Sequence, residues 1–270
     1  MNQTTVEAIA EAIPDGTLLG LPADYSGVPM AVTRALIARG VRDLRLYCLP
    51  LTTIQGDMLI GAGCVAQIEA AAVTLGEYGL APRFSAAIQD GSLEILDSTC
   101  PALHAQLQAV EKGVPFMPLR GLLGSDLMAN RPDWRVIDNP MGDGDPIVLL
   151  PARPLDVVVF HAPYADQEGN VFIGRRRELA TLAHAAKRCF VTVERFVEGS
   201  LFDDETLAAG ALPGFYVEAL AQAERGAWPC GLSDLYAPDG EELARYAQAA
   251  KTAEGFAGYL AQASRTAAAA

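Results

Sequence analysis

LDVVVFHAPYADQEGN, residues 155–170, followed at once by VFI, decides how the rest of the chain is read. An apolar run ends in His161, a polar loop follows, and Asp166-x-x-Gly169-Asn170 turns the chain into a second apolar run. Strands of a parallel sheet, covered on both faces, have this continuous Val/Ile/Leu composition. Ligands of open α/β sheets sit outside the carboxyl ends of such strands, so His161, Asp166 and Asn170 stand where chemistry is expected. A second reading is open: Gly169 and Asn170 form the turn, and His161 is a strand-end residue bonded to backbone.

Outward from this stretch, strand and helix patterns alternate. TLLGL (17–21), DLRLYCL (43–49), VAQIEAAAV (65–73), LEIL (93–96), IVLLP (147–151), CFVTVE (189–194) and FYVEAL (215–220) read as further strands. TVEAIAEAI (5–13), stopped by Pro14-Asp15-Gly16, and PMAVTRALIARG (29–40) read as helices, as do APRFSAAIQDG (81–91), PALHAQLQAVEKG (101–113) and ELATLAHAAKR (178–188). From Asp239 onward the pattern is one amphipathic helix or two. Segment 128–146, MANRPDWRVIDNPMGDGDP, reads as a surface excursion or a lid. The alternation predicts an α/β fold, an open and mainly parallel sheet with helices on both faces, in a single domain over residues 1–270.

Composition narrows the class. With 270 residues, 51% hydrophobic and 20% charged, the chain is long enough to bury about three quarters of its unfolded surface in one domain. A net charge of −13 disfavours nucleic acid and anionic membrane as partners, since both need clustered Lys and Arg. The start carries Glu7 and Glu11 and no cationic segment, and the apolar runs fall short of a membrane span. The five cysteines are scattered, without a CxxC pair, which predicts free thiols in a reducing cytoplasm. His104, His161 and His184 show no zinc spacing; His104 and His184 fall in helical stretches as surface or packing residues. Gly61-Ala62-Gly63 lacks the third glycine of a dinucleotide loop, and neither a Walker loop nor a Gly-x-Ser-x-Gly elbow occurs.

The pattern His161-Ala-x-x-Ala-Asp166-x-x-Gly-Asn170, then Ala185-Ala-Lys-Arg188 and CFVTVE, resembles the A subunit of family I CoA-transferases, of which glutaconate CoA-transferase is the type. Further blocks agree in order and spacing. They are Pro29-Met-Ala31 with LIARGVRDLRL, Leu59-Ile-Gly-Ala-Gly-Cys-Val65, Gly113-Val-Pro-Phe-Met-Pro-Leu-Arg120 with GLLGSDL, and Leu212-Pro-Gly-Phe-Tyr-Val217. The resemblance covers residues 13 to 260.

The resemblance implies covalent catalysis, in which a glutamate carboxylate attacks the acyl-CoA and splits one hard exchange into two easier ones. In this family that glutamate belongs to the B subunit, within a short Glu-plus-Gly motif. The nearest match here, Glu168-Gly-Asn, lies inside the A-subunit block. The implied enzyme is therefore a heteromer with a B subunit, with no catalytic residue in this chain, a CoA thioester as substrate and no permanently bound cofactor. Candidate substrate contacts are Cys100, Arg120, Ser125, His161, Asp166 and Asn170. Candidate CoA contacts are Ser26, Gly27, Gly61 and Gly63, and no metal ligands are expected. Arg120 offers a planar fork for a carboxylate, or else an ion pair with Asp126 or Glu111. Arg175-Arg176-Arg177 is a solvated loop or a contact to CoA or a partner chain.

Three departures from the family pattern stand out. Leu21-Pro22-Ala23 occupies the place of a glycine pair that would let backbone approach CoA. Cys100-Pro101 stands where relatives that cleave cyclic CoA thioesters have Glu-Gly. Cys100 is either a thiol activated at a helix N-terminus or a small buried residue. Trp228 stands where relatives often show histidine and reads as packing. Two other functions stay open: a hydrolase or lyase of a CoA thioester on the same fold, and a non-catalytic assembly subunit.

Overall fold

The computed structural model describes residues 2–269. Eight parallel strands form its centre: β1 (Gln3–Thr4), β2 (Leu18–Pro22), β3 (Leu44–Leu49), β4 (Val65–Ala70), β5 (Glu94–Asp97), β6 (Leu155–Asp166), β7 (Ala186–Val197) and β8 (Ala219–Gln222). Their spatial order is β1-β8-β7-β6-β2-β3-β4-β5, and a short antiparallel pair, Val171–Phe172 with Ala211–Leu212, extends the sheet beside β6. The helices that cover it are α1 (Val6–Glu11), α2 (Met30–Arg39), α3 (Ile54–Gly61), α4 (Pro82–Asp90), α5 (Cys100–Glu111), α6 (Arg177–Ala185), α7 (Gly240–Ala249) and α8 (Ala253–Ala269).

Because side chains alternate across a strand, neighbouring residues enter different cores. Leu19, Leu21, Val157 and Val159 join Ile9, Val32, Leu36 and Leu59 on one face. Leu18, Val158, Phe160 and Ala162 join Leu103, Leu107, Leu179 and Leu182 on the other. Both faces of the central strands are thus consumed, which is why their sequences are apolar throughout.

The structure refines several sequence expectations. β6 does not stop at His161; it stays paired with β7 as far as Asp166, so His161 is an interior residue of the strand. IVLLP lies outside the main sheet, antiparallel between Phe116–Leu119 and Arg135–Ile137. FYVEAL becomes a strand only at its end, after a 3-10 turn at Gly214–Tyr216. Helix α3 escapes a periodicity search because residues 54–60 are all buried, leaving no polar stripe. Segment 128–146 is tied down at Arg131, which is buried, meets Glu69 at 2.8 Å and stacks on Trp134 at 4.2 Å. The stretch from Asp239 forms two helices, α7 and α8.

Candidate active site

The loop that leaves the carboxyl end of β2 doubles back against β6. Gly27 makes this possible: its φ is +80°, and a Cβ there would stand 2.0 Å from the His161 carbonyl oxygen. Its own carbonyl accepts from the His161 N–H at 2.7 Å. The turn buries Ser26, whose hydroxyl donates to the Glu178 carboxylate in the first turn of α6. Tyr25, the preceding residue, stays 49% exposed, with the Arg176 guanidinium 4.9 Å from its ring centre.

Cys100, the first residue of α5, lies near enough to Tyr25 to act on it electrostatically. The expectation of a small buried residue is corrected here, because Cys100 is exposed. The helix behind it is capped by Thr99, whose hydroxyl accepts from the Ala102 N–H. Partial burial pushes the Tyr25 phenol up, and the nearby Glu178, Cys100 and Asp24 push it further against the pull of Arg176. One turn into α5, burial pushes the His104 imidazole down while Glu178 opposes. Ser26, Tyr25, Cys100, His104 and Glu178 thus form one electrostatic neighbourhood at the carboxyl edge of the sheet. Beside it opens a cleft of about 700 Å³ bordered by Asp24, Tyr25, Arg175, Arg176 and Tyr236.

His161, Asp166 and Asn170 direct their polar atoms into the chain itself. His161 is fully buried, with Nδ1 2.8 Å from the Thr192 hydroxyl and Nε2 2.8 Å from Glu194. Glu194 also accepts from the Tyr236 hydroxyl and from the N–H groups of Arg225 and Gly226. Burial works against the Glu194 carboxylate, but these donors outweigh it and hold its pKa below the ordinary value. Asp166 accepts from the N–H groups of Glu168, Asn170 and Leu201 and from the Asn170 amide. Burial again opposes and the donors again win, so its pKa is lowered. The side-chain Oδ1 of Asn170 in turn accepts from the Gly214 N–H.

The remaining candidates lie apart. Gly61 and Gly63 end the helix that leads from β3 to the start of β4, which puts them at the amino edge of the sheet. Arg120 is exposed and pairs with Asp145, rather than with Asp126 or Glu111. The Ser125 hydroxyl donates to the Leu122 carbonyl at 2.7 Å. Arg175 and Arg176 line the cleft, whereas Arg177 donates to the Ala209 carbonyl. Trp228 packs beneath Arg34 and donates to Asp239. Sequence reasoning passed over Tyr25, Glu178 and Glu194, because Ser26 and Glu178 are 152 residues apart and no local motif joins them. Among the described residues no group of three or more His, Cys, Asp or Glu is placed to hold a metal ion, and no helix is long and apolar enough to cross a membrane.

Comparison with known proteins agrees with this architecture. A protein of Archaeoglobus fulgidus without a described function is 31% identical over 259 residues; the match spans 94% of this chain but only 57% of that protein. The A subunit of glutaconate CoA-transferase from Acidaminococcus fermentans is 29% identical over 94% of this chain and 84% of its own length. The crystal structure of glutaconate CoA-transferase from that organism superposes with a TM-score of 0.90, at 26% identity over 97% of this chain and 88% of the other. The decarboxylase AibA/AibB superposes with a TM-score of 0.85, at 30% identity over 97% of both chains. Residues 2–223 match the family Coenzyme A transferase, and the chain belongs to that family.

Proposed function

We propose that this chain is the A-type subunit of a heteromeric, cytoplasmic CoA-transferase that moves CoA between an acyl-CoA and a carboxylic acid. The observation that carries the reading is the family match over residues 2–223, to a family whose A-subunit pattern, as the sequence resemblance has it, carries no nucleophile. The attacking glutamate then comes from a B-type subunit. Its carboxylate adds to the thioester carbonyl, a mixed anhydride forms and CoA thiolate leaves. The thiolate attacks the glutamyl carbonyl of that anhydride, releasing the first acid and leaving a glutamyl-CoA thioester. The acceptor acid then repeats the sequence in reverse.

In this scheme the present chain positions rather than attacks. Ser26 holds Glu178 away from the thioester, and Tyr25, Cys100 and the cleft face the substrate. His161, Asp166 and Asn170 serve as positioning residues: they fix Gly27, Gly226 and the 166–170 turn. A second reading, in which the chain helps direct a CoA thioester into decarboxylation or hydrolysis, draws on the likeness to AibA/AibB. The residue in the nucleophile position of the partner separates them, glutamate for transfer and Cys, Ser or Val for a diverted reaction.

The test is reconstitution. The chain alone is expected to transfer no CoA from acetyl-CoA to any acid, and to do so once co-purified with its B-type subunit. Full transfer by the single chain would overturn the reading.

A further inference from the structure

Two adjacent arginines on the cleft wall have no acidic partner among the described residues. Elsewhere several arginines of this acidic chain are paired: Arg39 with Asp15, Arg131 with Glu69, Arg188 with Glu218, Arg245 with Glu242. Among the described residues, neither Arg175 nor Arg176 lies within 4.0 Å of a carboxylate, although both line the cleft. Arg176 instead lies over the face of Tyr25, which leaves the edges of its guanidinium to donate. The cleft is also lined by Ile54, Leu75, Pro238 and Leu243. An unpaired cationic end and an apolar body suit a ligand with one anionic head on a carbon skeleton.

We propose that this cleft binds the free carboxylate of an apolar acyl or acid substrate, with Arg175 and Arg176 on the head and the Ile54–Leu243 wall against the chain. The assignment names the substrate class within the transferase reading and rests on it. Charge arithmetic favours a carboxylate over the phosphates of CoA. The two arginines supply +2, while Asp24 and Glu77 on the same walls subtract charge. Burial shifts Asp24 toward its neutral form, so the cleft keeps between no net charge and one positive charge. At its upper end that balances a single carboxylate, and throughout it falls short of the several charges of a nucleotide end. The size also fits: about 700 Å³ is within the range of pockets that enclose a whole small ligand.

The experiment is calorimetric titration of the purified full chain with octanoate, with its neutral isostere octanamide, and with 3′,5′-ADP as a stand-in for the nucleotide end of CoA. Octanoate is expected to bind at least about 10-fold more tightly than octanamide. Arg175→Gln and Arg176→Gln should each weaken octanoate by about 10-fold or more and leave octanamide unchanged. Arg195→Gln, outside the cleft, should change neither. Equal affinity for octanoate and octanamide, or no octanoate binding, would overturn the proposal. So would tight binding of 3′,5′-ADP that is lost in the two arginine variants, since it would give the cleft to the nucleotide. Because no CoA transfer is read, octanoate binding alongside failed reconstitution sinks the transferase reading and not the cleft assignment. The reverse result sinks the cleft alone.

Discussion

At the end of β6, Asp166 gives both carboxylate oxygens to four donors of its own chain. At the same edge of the sheet, Tyr25 and Cys100 remain exposed, and Arg175 and Arg176 look into an open cleft. Both regions carry the residue types from which active sites are made. They differ in whether the polar atoms are already satisfied. A buried carboxylate must be hydrogen-bonded or it costs the fold several kcal/mol, and the 166–170 turn meets that demand internally. The cleft region is only partly buried and leaves donors for a ligand.

The strongest way to break this contrast is Gly27→Ala, which strikes the hinge that the two regions share. A methyl group 2.0 Å from the His161 carbonyl, on a backbone at φ +80°, forces the loop off β6. We expect a loss of about 4 kcal/mol, combining overpacking and left-handed strain, read by urea denaturation. Stability within 1 kcal/mol of the parent, as a rough bound for surface changes, would mean that the loop does not lean on β6. Asp166→Ala should follow, with a loss of roughly 3 kcal/mol or more as several charge-assisted bonds disappear. The melting temperature would fall by about 6–12 °C in a chain of this size. Intact stability with altered ligand binding would move Asp166 from scaffold to site.

The pH dependence sharpens the same point. Asp166 and Glu194 titrate below their unfolded values, so the stability they contribute is complete above the ordinary carboxylate range near pH 4 and is lost as pH falls through their lower folded values. Thermal stability should fall as the pH drops from about 5 through those lowered folded values, and Glu194→Gln should flatten that decline by removing one titrating group. An unchanged slope in the variant would show that folding does not lower the pKa of Glu194. The smallest effect is expected from Arg120→Lys. The Arg120–Asp145 pair is exposed, at 64% and 33% of the side chains, and such pairs contribute about 0–1 kcal/mol. A tenfold or greater rise in KM for the acid substrate, about the value of a charge-assisted bond, would instead place the carboxylate on Arg120.

Much of the sheet was legible because burial leaves a mark on composition: β2, β3, β6 and β7 are apolar in runs, and Gly40 and Gly91 mark helix ends by adopting left-handed backbone. The same logic hid α3, which is buried on every side, and misplaced IVLLP, whose composition is the same in either sheet. In the 155–170 stretch the turn was visible in Asp166 and Gly169-Asn170. The continuation of β6 through His161 was not, since it depends on pairing with Thr192 and Val193.

The sequence by itself determined the family and the alternation of strand and helix, because these are properties of residue order. Tertiary structure decided which polar residues are spent and which are left over. Ser26 meets Glu178 across 152 residues, Glu194 gathers His161 and Tyr236, and Arg176 finds a tyrosine rather than a carboxylate. Those pairings depend on which loops the sheet order β6-β2-β3 brings together at its carboxyl edge. Hydrogen bonding and desolvation act over a few ångströms in space, regardless of distance along the chain.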